Sequence, residues 1–160
     1  MKKGFYTRRY YLAYGSNLNV DQMRWRCPSA HKEGVAILKD WQLLFRGSKT
    51  GAYLTIAPCE GAEVPVGVWS IIGADEAALD RYEGFPDFYY KKTLPVQMTD
   101  LAGKHVNIDG LVYIMHEDRP LGVPSRSYVD ICADGYEDFG FDLKPLVDAV
   151  AASVKEVKSA

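Results

Sequence analysis

The order of its extended and helical segments most limits how this chain can fold. Several strand-forming segments come first, a short helical one follows, and more strands precede two longer helical patterns near the C-terminal end. A doubly wound parallel sheet needs regular alternation of strands and helices, which this order lacks. The sequence therefore predicts an α+β fold: a small mixed, mostly antiparallel β-barrel-like sheet with flanking helices.

Runs of β-branched and aromatic residues predict the strands. A short buried strand from Tyr10 to Tyr14 stops at the sequence Gly-Ser-Asn. The later strands are expected at residues 35–46, 52–57, 64–72, 88–98 and 105–115, with a turn at 58–61.

Capping residues predict the helices. A short helix is expected to run from about residue 75 to Gly84, because glycine commonly ends a helix. The residues expected to start the four helical segments are Asn19 or Asp21, Asp75, Ser125 and Asp142.

Length and composition limit the class of protein. With 160 residues, a single domain spanning 1–160 is expected, with a core at about 8–142 and a C-terminal helix at about 143–158. A net charge of −2 argues against a dedicated nucleic-acid binder. No apolar run approaches the ~18 residues of a membrane span, so a membrane partner is not expected either.

Most signatures of cofactor chemistry are absent from the sequence. There is no phosphate loop, no dinucleotide-binding glycine pattern and no Cys-x-x-Cys pair. The three histidines lack the spacing of metal ligands, and an odd number of cysteines does not suggest a disulfide scaffold. We therefore expect a reduced, cytoplasmic protein without a metal site.

The first candidate site is the loop Gly15-Ser16-Asn17, which directly follows the opening strand. Such a turn can expose successive backbone N–H groups and form a concave anion site. Since Gly, Ser and Asn dominate turns in general, these residue types alone favour an ordinary strand-ending turn.

The second candidate is Glu83, four residues after the apolar Leu79 and therefore on the same helix face. A carboxylate that faces the interior from the last turn of a helix should have a raised pKa, because burial and the helix dipole both disfavour its charge. That environment suits a general base. Alternatively, Glu83 is a half-exposed residue paired with Lys91 or Lys92. Tyr128 is a weaker candidate, since core packing would also explain its position.

Together these segments resemble the gamma-glutamylcyclotransferase family, also known as the BtrG-like or avirulence-induced-gene-like fold. The resemblance covers about residues 10–142. It is carried by the segments 12–18 (LAYGSNL), 26–30 (RCPSA), 64–69 (VPVGVW), 79–84 (LDRYEG) and 124–128 (PSRSY).

The resemblance implies a barrel-like sheet with a cavity at one end, no metal or organic cofactor, and a small-molecule γ-glutamyl substrate. Members of the family cyclise the γ-glutamyl group to 5-oxoproline and release an amine or amino acid. By position, Glu83 would be the acid/base and Tyr128 would contact the substrate. The γ-glutamyl pocket would be lined by Tyr11, Leu12, Ala13, Tyr14, Gly15, Ser16 and Asn17.

Three functional alternatives remain open at this point. They are an enzyme of this type, a non-catalytic small-molecule-binding or regulatory module on the same fold, and a cyclotransferase for γ-glutamylamines or a γ-glutamyl-protected intermediate. Contacts to the leaving amine are not localised by the sequence, and an exposed aromatic patch would be needed to indicate a homodimer. Candidate contacts to the leaving amine are Arg46, Arg126, Phe85, Phe88, Tyr89 and Tyr90.

Overall fold

A closed barrel with strand order β1-β3-β2-β4-β5 forms the centre of the computed structural model, which describes residues 7–47 and 51–159. Neighbouring strands are antiparallel except β1 and β5, which are parallel. The predicted α+β class and mostly antiparallel barrel-like sheet are confirmed. The strands are β1 (Arg9–Ala13), β2 (His31–Arg46), β3 (Tyr53–Ile71), β4 (Tyr89–Asp100) and β5 (His105–Met115).

Two helices begin at capping residues that the sequence indicates, Asn19 and Ser125. Asn19 Oδ1 accepts a hydrogen bond from the Gln22 N–H, and Ser125 Oγ accepts one from the Tyr128 N–H.

The helix expected to start at Asp75 begins at Gly73, and Asp75 Oδ2 accepts a hydrogen bond from the Ile72 N–H. The helix expected to start at Asp142 begins at Lys144, whose N–H donates to Asp142 Oδ1. Gly84 ends its helix in the left-handed conformation, with φ of 64°. The helices are a 3-10 helix (Ser16–Leu18), α1 (Val20–Arg26), α2 (Gly73–Glu83), α3 (Arg126–Asp138) and α4 (Lys144–Ser159). None of these helices in the described ranges has the length and apolarity needed to cross a membrane.

The predicted turn at 58–61 is wrong, because residues 52–57 and 64–72 belong mainly to one long strand, β3. The extra residues form a bulge opposite β2, between the pairs Lys39–Glu63 and Trp41–Pro58. The Gly61 N–H donates to Asp40 Oδ1 at 2.9 Å, and both residues have positive φ. Turn-forming residues are thus accommodated within a continuous strand.

Strand β1 is short and apolar because it lies between β3 and β5 and pairs with both. Leu12 at its centre is fully buried, and burial of a side chain of this size contributes roughly 1.5–3 kcal/mol to the free energy of unfolding. The loop that follows β1 is therefore attached to one of the best-packed strands of the barrel.

The seam between β2 and β4 is one of two short strand pairings among the described strands of the barrel, the other being that of β1 with β5. Strands β2 and β4 pair only at Gly34 with Asp100 and Val35 with Thr99 within the described residues. A Cβ on Gly34 would lie 2.2 Å from the Thr99 carbonyl oxygen, so the close approach of the two backbones requires glycine.

Helix α3 fixes the loop after β1 through a second close approach. A Cβ on Gly135 would lie 2.6 Å from the Asn19 nitrogen and 2.7 Å from the Leu18 carbonyl carbon. Asn19 Nδ2 also donates to the Ile131 carbonyl at 3.0 Å. The backbone of the loop is thus held against the helix.

We expect Gly135→Ala to destabilise the protein by about 1–3 kcal/mol, because the new methyl group must displace backbone atoms of the loop. Urea unfolding monitored by circular dichroism measures this change. The exposed neighbour Asp134 provides the control, and Asp134→Ala should change stability by less than about 0.5 kcal/mol. Equal stability of Gly135→Ala and the parent protein would show that the loop is not held this tightly.

Candidate active site

A cavity of about 420 Å³ lies between the loop after β1 and the C-terminal end of α2, a volume typical of small-molecule sites. Its wall is mostly aromatic with a few polar groups. It is lined by Tyr11, Tyr14, Gly15, Ser16, Asn17, Tyr53, Leu54, Arg81, Tyr82, Glu83, Gly84, Phe88, Tyr89, Tyr113 and Tyr128.

Most site residues indicated by the sequence lie in this wall, and two do not. Leu12 and Ala13 are buried in the barrel core and do not line the cavity. Leu12 occupies the space beside Gly110, where a Cβ would come within 2.5 Å of it. The residues brought together are Tyr11, Tyr14, Gly15, Ser16, Asn17, Glu83 and Tyr128.

Glu83 is the last residue of α2 and faces the cavity, while Leu79 on the same face is fully buried. Asn17 Nδ2 donates to Glu83 Oε1 at 3.3 Å, so the carboxylate and the loop after β1 are in direct contact. The alternative ion pairs of Glu83 with Lys91 or Lys92 do not form among the described residues, and Lys92 Nζ lies over the Trp41 ring. Lys91 Nζ instead lies 2.8 Å from Glu76 Oε2 and 3.0 Å from Asp80 Oδ1.

Burial raises the pKa of Glu83 to about 7, and the positive charge of Arg26 opposes part of that rise. The Glu83 side chain is half-buried: one side faces the open cavity, and protein surrounds the rest. Burial, and then the charge of Glu83, raise the pKa values of Tyr11 and Tyr14 well above their ordinary range. These tyrosines are therefore neutral hydroxyl groups beside the carboxylate.

Asn17 forms hydrogen bonds through both polar atoms of its side chain and through its backbone carbonyl group. Its Oδ1 accepts a hydrogen bond from Arg26 Nη1, and its Nδ2 donates to the Tyr11 hydroxyl at 2.8 Å as well as to Glu83. The backbone carbonyl oxygen of Asn17 accepts a hydrogen bond from Trp69 Nε1 at 2.9 Å. Asn17 thus links β1, α1, β3 and α2 at one point.

Tyr82 closes this cluster on the side next to Glu83. The guanidinium carbon of Arg26 lies 3.3 Å from the centre of the Tyr82 ring, a stacked cation–π contact. The Tyr82 hydroxyl and Ser16 Oγ lie 3.0 Å apart and share a hydrogen bond. Arg26 and Tyr82 together connect α1, the loop and α2.

Tyr128 both packs against the core and lines the cavity, so the two interpretations of its position are compatible. Its hydroxyl accepts a hydrogen bond from the Leu54 N–H at 3.1 Å, while Tyr89 donates to the Leu54 carbonyl at 2.9 Å. A Cβ on Gly15 would lie 3.2 Å from the Tyr128 hydroxyl, so glycine allows the loop to approach it closely.

Of the residues considered for the leaving amine, Phe88 and Tyr89 line the cavity. Arg46 does not, and its Nη1 donates to the carbonyl groups of Glu117 and Arg119. The remaining three, Arg126, Phe85 and Tyr90, also lie outside the lining.

Sequence reasoning missed several lining residues. Arg81 and Tyr82 directly precede Glu83, so their position next to the candidate acid was a usable signal. Tyr53 and Tyr113 come from β3 and β5, and only the barrel topology brings them here. In the part of the chain that the structure describes, no group of three His, Cys, Asp or Glu residues is placed to hold a metal ion.

The raised pKa of Glu83 predicts a pH-dependent stability. The folded protein binds this proton more tightly than the unfolded chain does, so the carboxyl group disfavours folding as pH rises from about 4.5 towards 7. We expect Glu83→Gln to be more stable than the parent protein by about 1–3 kcal/mol at pH 8, with little difference at pH 4.

Thermal unfolding at both pH values tests this, since each 1 kcal/mol shifts the Tm of a chain this size by roughly 2–4 °C. Glu137→Gln, which changes an exposed glutamate of α3, should show no such pH-dependent gain. A Glu83→Gln variant that is less stable than the parent at pH 8 would contradict the assigned direction of the pKa shift.

Comparisons with known proteins identify the family of this chain and agree with its fold. Residues 11–130 match the family described as Gamma-glutamyl cyclotransferase, AIG2-like. The human gamma-glutamylcyclotransferase is 32% identical over 141 residues, covering 84% of this chain and 73% of the human protein. The bovine gamma-glutamylcyclotransferase is 31% identical over 143 residues, with the same coverage of 84% and 73%. A solved structure of a gamma-glutamyl cyclotransferase superposes with a TM-score of 0.76 at 25% identity, covering 96% of this chain and 100% of that one. The chain therefore belongs to the AIG2-like gamma-glutamyl cyclotransferase family.

Proposed function

We propose that this protein cyclises the γ-glutamyl group of a small substrate to 5-oxoproline and releases an amine or amino acid. The observation that carries the proposal is the contact between Glu83, a half-buried carboxyl with a pKa of about 7, and the loop after β1 in one aromatic cavity. The names of the human and bovine relatives support the same reaction type.

The reaction is an intramolecular acyl transfer. The α-amine of the substrate attacks its own γ-carbonyl carbon, the new C–N bond closes the five-membered ring, and the original amide C–N bond breaks. No Ser or Cys nucleophile is needed, because the substrate supplies it. The main task of the protein is to fold the γ-glutamyl chain so that the two groups meet.

Glu83 moves the proton in this scheme. The substrate amine is protonated at neutral pH, so the carboxylate first accepts a proton from it. The resulting carboxylic acid then donates this proton to the departing nitrogen. The attacking nitrogen loses its second proton as the ring amide forms, and the released amine takes up that proton and leaves as an ammonium ion. A pKa of about 7 suits both steps, since each protonation state is accessible near neutral pH. Asn17 orients the carboxylate through its Nδ2 group.

The loop after β1 and the surrounding tyrosines bind the substrate in this proposal. The backbone N–H groups of Gly15, Ser16 and Asn17 are available to hold the α-carboxylate or the oxyanion that develops on the γ-carbonyl. Tyr11, Tyr14 and Tyr128 enclose the glutamyl chain with rings and neutral hydroxyl groups. In the buried part of the cavity, where Tyr11 and Asn17 are each 3% exposed, little water competes with these contacts.

The direct test is 5-oxoproline formation from γ-glutamyl-alanine. Glu83→Gln keeps the size of the side chain but cannot accept the proton, so we expect kcat to fall at least about 100-fold, as for loss of a general base. Glu137→Gln should retain the parent rate. Near-normal activity of Glu83→Gln would remove this residue from the mechanism. Binding without turnover by the parent protein, across a panel of γ-glutamyl compounds, would favour a non-catalytic binding module.

The pH profile provides an independent test. A protonated Glu83 cannot accept the amine proton, so kcat/KM of the parent protein should rise as pH increases through about 7. Initial rates with γ-glutamyl-alanine from pH 5 to 9 measure this rise. A profile that is flat between pH 5.5 and 8 would contradict the role of this carboxyl group.

A further inference from the structure

Arg81 is an unpaired cation in the cavity wall. It lies in the last turn of α2, two residues before Glu83, and its side chain is exposed to solvent. Within the residues that the structure describes, the Arg81 guanidinium makes no hydrogen bond, ion pair or ring contact. Other arginines nearby are engaged: Arg26 binds Asn17 and Gln22, and Arg9 pairs with Glu76.

In the described part of the chain, the cavity wall contains one acidic and one basic side chain. Glu83 and Arg81 are the acidic and basic members of the lining set, and the other lining residues are aromatic, aliphatic, small or amide-bearing. Because Glu83 contacts Asn17 through its Oε1 atom, the acid lies beside the buried part of the wall. Arg81 has no comparable partner and is available to an anionic group of a ligand.

The cavity has a buried part and an open rim. Tyr11 and Asn17 are each 3% exposed, whereas Tyr53 and Tyr82 are each 45% exposed. In the proposed reaction the γ-glutamyl chain lies against the buried loop, so the released half of the substrate must point toward the rim. Arg81, itself exposed, therefore lies on the side of the leaving group.

We propose that Arg81 binds a carboxylate on the leaving half of the substrate and makes the protein prefer γ-glutamyl amino acids to γ-glutamylamines of the same shape. This inference rests on the proposed function and adds a specificity residue to it. A guanidinium suits the task because its N–H groups match the two oxygens of a carboxylate.

A matched pair of substrates isolates this contact. γ-Glutamyl-alanine and γ-glutamyl-ethylamine differ only by the carboxylate on the leaving group. For Arg81→Met we expect kcat/KM to fall about tenfold with γ-glutamyl-alanine and by less than about twofold with γ-glutamyl-ethylamine, a differential effect of the size expected for a charge-assisted contact. Arg81→Lys keeps the charge and should recover part of the loss. Arg24→Met, at an exposed arginine of α1 outside the cavity wall, should leave both values unchanged.

Each outcome separates this inference from the proposed function. An equal loss on both substrates would assign Arg81 to the α-carboxylate of the glutamyl group and overturn the proposal. No loss on either substrate, with an active parent protein, would also overturn it and leave the proposed function intact. No 5-oxoproline from either compound with the parent protein would contradict the proposed function, and this inference with it.

Discussion

The hydrogen bonds of Asn17 are the interaction on which the site depends. Both protons of its amide group are used, one toward Tyr11 and one toward Glu83, while Arg26 and Trp69 hold its two carbonyl oxygens. Buried polar groups stabilise a unique arrangement only when every partner is present. The residue therefore fixes where the carboxylate lies relative to the loop.

The site conflicts with stability in a way that suits acid–base chemistry. A carboxylate at the C-terminal end of a helix, in an aromatic cavity, is disfavoured by burial and by the helix dipole. Arg26 approaches closely enough to oppose the pKa rise, yet it stacks on Tyr82 and binds Asn17. The hydrogen bonds of Arg26 go to Asn17 and Gln22 and not to Glu83, so Glu83 retains a pKa near neutrality.

The sequence predicted local features well and tertiary ones only in part. Caps at Asn19 and Ser125 follow from nearest-neighbour chemistry, so these two helix starts could be identified directly. The bulge near Gly61 was predicted as a turn, because the same residues favour both and only the partner strand decides. In the cavity wall, Arg81 and Tyr82 could have been predicted because they directly precede Glu83 in the sequence. Tyr113 reaches it through the pairing of β5 with β1, which periodicity cannot specify.

The short seam at Gly34 lies between two hairpins of the barrel. Strands β2 and β3 form one long hairpin and β4 and β5 another, each with an extended ladder of its own. Across the seam the backbones meet at two neighbouring positions, and a further hollow of about 800 Å³ separates β2 from β4 beyond them. Local opening starts where few contacts must break. The structure therefore favours local opening at the two short joints between the hairpins, β2 with β4 and β1 with β5, while the five pairs of β1 with β3 keep the loop after β1 in place.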